Sequence, residues 1–251
     1  MDVKLIDYTG AGSPDPARHA ANVLVFTKQT RLNMVPGLMA EIEAWPWSKV
    51  EEELAYMANT IPSSWEYINY SFLVNGVTRA YTHQQVRTRT ASFAQQTLRV
   101  LDVDGWQYGT GPTIADNPKL KESYDRQMKS IDEEYRYQIE NGAKIEDARG
   151  VLPTNILTNI VIGMNLRTFS ETQRKRASTR TQGEYRDVME AMRAEVLRVH
   201  PWAEMFLDRT FDRAAAELEQ ALLRVRDERD QMTPDHCTNL IKLIDQMRMT
   251  A

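Results

Sequence analysis

Between Arg79 and Arg99 the chain carries four arginines (Arg79, Arg87, Arg89 and Arg99), the glutamines Gln84, Gln85, Gln95 and Gln96, several hydroxyls and no carboxylate. The acid-free zone is wider, from Tyr67 to Leu101, which is 35 residues in a chain with 35 acids among 251. Even placement would put about five acids there, so their absence is a charge pattern. A guanidinium offers paired donors to a phosphate, and a nearby carboxylate would compete for them. The stretch therefore reads as an anion-binding element. The competing reading is an Arg-rich solvated helix and loop. A second basic cluster follows at Arg174, Lys175, Arg176 and Arg180.

The rest of the composition bounds what that element serves. Hydrophobic residues make up 42% and charged residues 26%, ordinary for a globular protein with a sizeable core. The net charge of −4 points to no nucleic-acid partner, so an anion site must come from local clustering. Cys237 is the only cysteine, which excludes an intramolecular disulfide and fits a reducing, cytoplasmic setting. The histidines His19, His83, His200 and His236 are scattered, and no metal site is legible. No apolar run approaches membrane-spanning length, and the N-terminus lacks a signal pattern.

The elements that must position the arginines follow from periodicity. Met1 to Tyr8 is expected as a strand with Val3, Leu5 and Ile6 inward, and Ala17 to Phe26 as a short helix. Ser48 with Glu51 forms a capping box for a helix to about Met57. Ile68 to Asn75 alternates most clearly as a strand, ended by Gly76. Val77 to about Arg87 is predicted as a helix with Gln84 and Arg87 on one face. A strand-like segment, Phe93 to Leu101, follows. Gly105 to Pro118 reads as loop, and Leu120 to Ile139 as a long amphipathic helix stopped by Asn141-Gly142. Ile145 to Arg149 is one more turn, and Asn155 to Phe169 is apolar and buried. Glu184 to His200 is a helix ended by Pro201. Phe211 to Gln231 is predicted as a long charged helix, and Thr233-Pro234 opens a last one.

Two segments together resemble the flavin-dependent thymidylate synthases. Arg87-Thr88-Arg89 followed by Thr90 to Arg99 is similar to that family's Arg-His-Arg motif and its phosphate-binding turn. Arg79 to Gln84 matches the helix leading into it, and Ser63-Ser64-Trp65-Glu66 resembles the family's flavin-contacting turn. Ala148-Arg149, Leu152-Pro153, Asn165-Leu166-Arg167, Arg176 and His200-Pro201-Trp202 follow in the family's order. The resemblance covers residues 1–206 as one domain and leaves 207–251 as a helical C-terminal extension.

It implies an α+β fold, a central antiparallel sheet with surrounding helices, assembled as a homotetramer with active sites shared between chains. It implies conversion of dUMP to dTMP with FAD, NADPH and 5,10-methylenetetrahydrofolate. Carried over by position, Gln84, Gln85, Arg87, Gln95, Gln96, Thr97, Leu98, Arg99, Arg149 and Arg176 hold the nucleotide, with Arg176 favouring ionisation of the pyrimidine ring. Ser63, Arg87, Thr88, Arg89, Gln95, Asn165, Arg167 and Glu171 fall at flavin-contacting positions. Ser92 matches the motif serine, but no adjacent base marks it as a nucleophile.

This sequence also departs from the family pattern. Thr88 and Tyr67 stand where the family has histidines, Glu171 where asparagine is usual, and Val100 where a tyrosine follows the last motif arginine. These changes point to another pyrimidine nucleotide such as UMP, or to weakened activity. The alternative class is a non-catalytic nucleotide- or RNA-binding protein on the same fold; the net charge and the scarcity of aromatics among the arginines argue against it.

Overall fold

The computed structural model describes residues 1–100, 105–176 and 181–207, with Leu222, Leu223, Thr238, Leu240, Ile241 and Ile244. One antiparallel sheet organises them. It consists of β1 (Asp2–Tyr8), β2 (Asn69–Thr78), β3 (Ser92–Gln95) and β4 (Leu157–Asn165), in the order β1-β2-β4-β3. The helices are α1 (Pro16–Gln29), α2 (Leu38–Glu43), α3 (Trp47–Thr60), α4 (Arg79–Gln85), α5 (Pro112–Ala115), α6 (Pro118–Glu140), α7 (Ile145–Ala148), α8 (Leu166–Arg176), α9 (Gly183–Val199) and α10 (Glu204–Leu207). The expected α+β class with a central antiparallel sheet is what the chain adopts.

Strand periodicity sets which face is buried. Tyr70, Phe72 and Val74 of β2 and Ile160, Ile162 and Met164 of β4 point into one core, with Leu24, Leu54, Phe169 and Val188 from the helices. Phe72 stacks on Phe169 with ring centroids 5.7 Å apart. The opposite face, including Ser71, Leu73, Val161 and Gly163, stays partly exposed. Leu222 and Ile244 are buried with Ile241 in a small cluster of their own.

Several predicted boundaries shift, each for a local reason. Ile6 is 54% exposed because the β1–β2 register slips between Leu5 and Asp7 and turns it outward. α3 starts at Trp47, one residue before the predicted cap, with Pro46 in the cap position and no side-chain bond from Ser48. Gly76 does not end β2; at φ +65° it sits in a bulge between Val74 and Val77, and the strand resumes to Thr78. Val77 is therefore strand, and Thr78 caps α4 by accepting from Tyr81 N. The predicted loop before Pro118 contains α5, and Asn117 caps α6 by accepting from Lys119 N and Leu120 N. The strand predicted to Leu101 stops at Gln95, with one further bond from Gln96 N to Asn159 O. The apolar run from Asn155 divides into β4 and the start of α8. Most of the helix predicted over Phe211 to Gln231, and the Thr233-Pro234 start, lie outside the described residues.

His200 closes this core. It is fully buried, stacked on Trp202 at 5.2 Å, with Nε2 3.1 Å from Thr9 O and Nδ1 2.9 Å from Tyr70 Oη. A carbonyl only accepts, so Nε2 carries the proton and Tyr70 donates to Nδ1. Burial lowers the His200 pKa from 6.5 to about 4, against the carbonyls of Thr9 and Pro16, which raise it. Between those values the unfolded chain binds the proton that the folded chain refuses. Stability is therefore fully present above pH 6.5 and is lost as pH falls toward 4. Urea titrations across this range should show that loss, and His200→Gln should flatten it; an unchanged pH slope in the variant would refute the assignment.

Candidate active site

The end of β2 and the start of α4 form the junction on which the anion-binding stretch is built. Thr78 N donates to Glu184 Oε1 at 2.7 Å, and its hydroxyl donates to Glu184 Oε2 at 2.5 Å while accepting from Tyr81 N at 3.1 Å. Glu184 lies in the first turn of α9, so this carboxylate ties α9 to β2. Gln84 Nε2 donates to Gln182 Oε1, and Gln182 Nε2 reaches Glu184 at 3.5 Å. Gly109 packs where a Cβ would meet the Thr78 methyl at 2.6 Å, so only glycine lets the 105–111 loop approach.

From this junction the predicted nucleotide residues can be placed. Arg79 N donates to Ile156 O and Ala80 N to Thr154 O, which fixes α4 against the chain that follows Arg149. Arg79 Nη2 donates to Gln96 O at 2.7 Å. Thr97 Oγ1 accepts from Arg99 N at 3.1 Å, closing a hydroxyl turn over the Gln96, Thr97, Leu98 and Arg99 backbone. Arg149 is exposed, its Nε on Glu146 O. Gln95 Nε2 is engaged by the hydroxyls of Thr82 at 3.0 Å and Thr158 at 3.5 Å, a bridge between α4 and β4.

Gln85, expected among the nucleotide contacts, faces inward. It is fully buried on the inward face of α4, where Tyr81 Oη donates to its Oε1 at 3.4 Å. The helix period that turns Gln84 outward turns its neighbour into the core.

Arg176 ends α8 and lies over the ring of Tyr185, 4.7 Å from its centroid. Tyr185 is itself buried, edge-on to Tyr81 at 5.1 Å. Burial raises the Tyr185 pKa, while Arg176 and the Thr88 hydroxyl pull it down. Its Oη nonetheless makes no hydrogen bond of good geometry. Thr88 thus faces the tyrosine beneath Arg176. A cavity of about 240 Å³ opens beside Arg176, lined by Gln173, Arg186, Asp187, Met189 and Glu190. Arg79, Arg87, Arg89, Arg99, Arg149 and Arg176 take part in no ion pair among the described residues.

The predicted flavin positions divide differently. Asn165 Oδ1 accepts from Thr168 N at 2.8 Å at the start of α8. Arg167 is clamped between Glu66 at 2.7 Å and Glu171 at 3.0 Å, and both carboxylates raise its pKa, Glu171 more. Ser63 Oγ accepts from Arg31 Nη2 at 3.2 Å. These residues cluster at the Asn165 end of β4, whereas Gln95 contacts its other end at Thr158. Seven residues of strand separate those ends, roughly 23 Å. Arg87, Thr88 and Arg89 form the turn from α4 to β3, and Ser92 is exposed opposite Gly163. Within the chain, the Asn165 cluster and the Gln95–Thr158 contact thus stand at opposite ends of β4.

The family model described as thymidylate synthase complementing protein matches residues 4–202. The chain belongs to the flavin-dependent thymidylate synthase family. The Clostridium tetani flavin-dependent thymidylate synthase is 32% identical over 221 residues, covering 80% of this chain and 84% of that protein. That of Sulfurisphaera tokodaii is 35% identical over 211 residues, covering 80% and 75%. The crystal structure of PolB, a UMP/dUMP methylase from Streptomyces cacaoi bound with 5-Br dUMP, matches with a TM-score of 0.67 and 20% identity. That match covers 82% of this chain and 94% of PolB, and it shows a shared fold. Membership of the flavin-dependent thymidylate synthase family makes the chain an enzyme of pyrimidine C5-methylation. The family implies FAD, methylenetetrahydrofolate as carbon donor and a reduced nicotinamide.

The sequence reading passed over Gln182, Glu184 and Tyr185. Gln182 and Glu184 pair across 98 and 106 residues of chain, which no local pattern encodes, and the seat of Arg176 on Tyr185 is set by how α8 and α9 pack. Thr78→Val should remove the hydroxyl bond to Glu184 Oε2 and open the α4 cap while the backbone bond to Oε1 stays, lowering unfolding stability by about 1.5–3 kcal/mol. Denaturant melts test this; a loss under about 0.5 kcal/mol would show that the junction carries little.

Proposed function

We propose that this enzyme methylates C5 of a pyrimidine nucleoside monophosphate, dUMP by default and UMP as the alternative, with NADPH as reductant. The observation that carries the reading is Arg176, a guanidinium stacked on Tyr185 and without a carboxylate partner among the described residues. A cation so placed favours the ionised pyrimidine ring and stabilises the charge that develops on it, and stacking on the aromatic face holds it in position. Gln84, Gln95, Gln96, Thr97, Leu98, Arg99 and Arg149 are the proposed nucleotide contacts. Arg99 and Arg149 supply charge-assisted donors to the phosphate, each bond contributing roughly 1.5–3 kcal/mol.

The residues at the flavin positions fit an anionic dinucleotide. Arg87 and Arg89 are exposed and unpaired among the described residues, as a diphosphate requires. Bound FAD supplies the redox chemistry that the side chains lack. Ser63, Thr88, Asn165, Arg167 and Glu171 are the remaining proposed flavin contacts. Arg167 already holds two carboxylates, so Glu171 tempers the positive charge offered there. The separation of the two groups along β4 supports a site shared between subunits, and we assign the family's homotetramer on that ground.

The purified protein should bind FAD and show flavin absorbance; its absence after reconstitution would overturn the reading. Turnover of dUMP, UMP and dCMP with NADPH and methylenetetrahydrofolate then fixes the substrate. Arg176→Ala should abolish turnover and retain flavin. Tyr185→Phe should keep kcat near wild type, whereas Tyr185→Leu should lower kcat about tenfold or more with a smaller change in KM. Equal rates for the two Tyr185 variants would remove the stacking role.

A further inference from the structure

We propose that Arg79 is a phosphate-binding residue that completes, with Arg149, a two-guanidinium site for a phosphate dianion beside the Gln96 to Arg99 turn. Arg79 lies outside the residues to which the family resemblance gives a nucleotide contact. That the dianion is the 5′-phosphate of a nucleotide rests on the function proposed above; the anion site itself rests on the geometry.

The backbone of Arg79 is fixed by its bond to Ile156 O at 3.1 Å and by Ala80 N to Thr154 O at 2.8 Å. Its guanidinium has five donors, of which Nη2 serves Gln96 O. Nε is buried with no partner among the described residues. A buried donor left unpaired is costly, and an anion is the ligand that satisfies it. Among the described residues no carboxylate does so, and Glu184, an acid at this junction, is engaged by the amide and hydroxyl of Thr78.

Charge is consistent with that geometry. Burial and the nearby Arg149 charge both lower the Arg79 pKa, so the protein holds two like charges together at a cost. A monophosphate carries close to two negative charges at neutral pH and relieves both terms at once. The fork geometry of guanidinium suits phosphate oxygens. Because Arg79 also holds the Gln96 carbonyl, it sets the turn that presents Thr97 and Arg99 to the same phosphate.

The test is calorimetric titration of the full-length protein with inorganic phosphate, dUMP, UMP and uncharged deoxyuridine, with melting temperature and flavin absorbance confirming each variant. Arg79→Gln should weaken inorganic phosphate and the nucleotides about tenfold or more and leave deoxyuridine unchanged. Unchanged phosphate affinity overturns the proposal. So does an equal loss for deoxyuridine, which would mean that Arg79 only props the turn. If Arg79→Gln fails to fold, Arg79→Lys carries the test: losing the fork should cost about three- to tenfold for phosphate, and wild-type affinity would refute it. Phosphate binding that depends on Arg79 in a protein that binds no pyrimidine nucleotide would uphold this site and overturn the proposed function.

Discussion

The proposed site rests on guanidinium groups that, among the described residues, have no carboxylate partner. Like charges repel, and burial adds to the penalty, as the lowered pKa of Arg79 beside Arg149 shows. The protein meets this cost with groups that an anionic ligand can supplement. Arg79 rests on a carbonyl, Arg149 on a carbonyl and Arg176 on the face of a tyrosine. A carbonyl or a π-face stabilises a guanidinium only in part, which leaves charge for the phosphate and pyrimidine of the proposed substrate. Arg167 shows the contrary arrangement, its fork taken by Glu66 and Glu171.

The carboxylate that meets this junction among the described residues has a structural task. Glu184 accepts from the Thr78 amide and hydroxyl, and so joins the first turn of α9 to the point where β2 becomes α4. That bond sets where Arg79 begins its helix, and through Gln182 it touches Gln84 as well. The bulge at Gly76 is part of the same arrangement, because it lets the chain regain pairing with β4 before turning into α4. Local backbone, packing and charge thus converge on a few residues.

Family membership and geometry fit together at the level of the sheet. β4 separates the Thr158 end, where Gln95 reaches, from the Asn165 end, where Arg167 and Glu171 stand. An extended strand holds those ends roughly 23 Å apart. The departures at Thr88 and Glu171 meet different neighbours, Thr88 facing Tyr185 and Glu171 paired with Arg167.

By itself the sequence determined much of this protein. The acid-free stretch, the alternation over Ile68 to Asn75 and the ordered motifs around Arg87, Arg149 and Arg176 were legible because they are local or follow one another along the chain. The fold class and family follow from them. Tertiary structure alone decided that Gln85 is buried while Gln84 is not, that Tyr185 lies under Arg176, and that Glu184 reaches Thr78. It also decided that Arg167 is neutralised by two acids, one of them a hundred residues upstream. Such facts depend on which side chains meet when distant segments pack. Burial then changes the strength and sign of their interactions in ways that residue type and spacing do not carry.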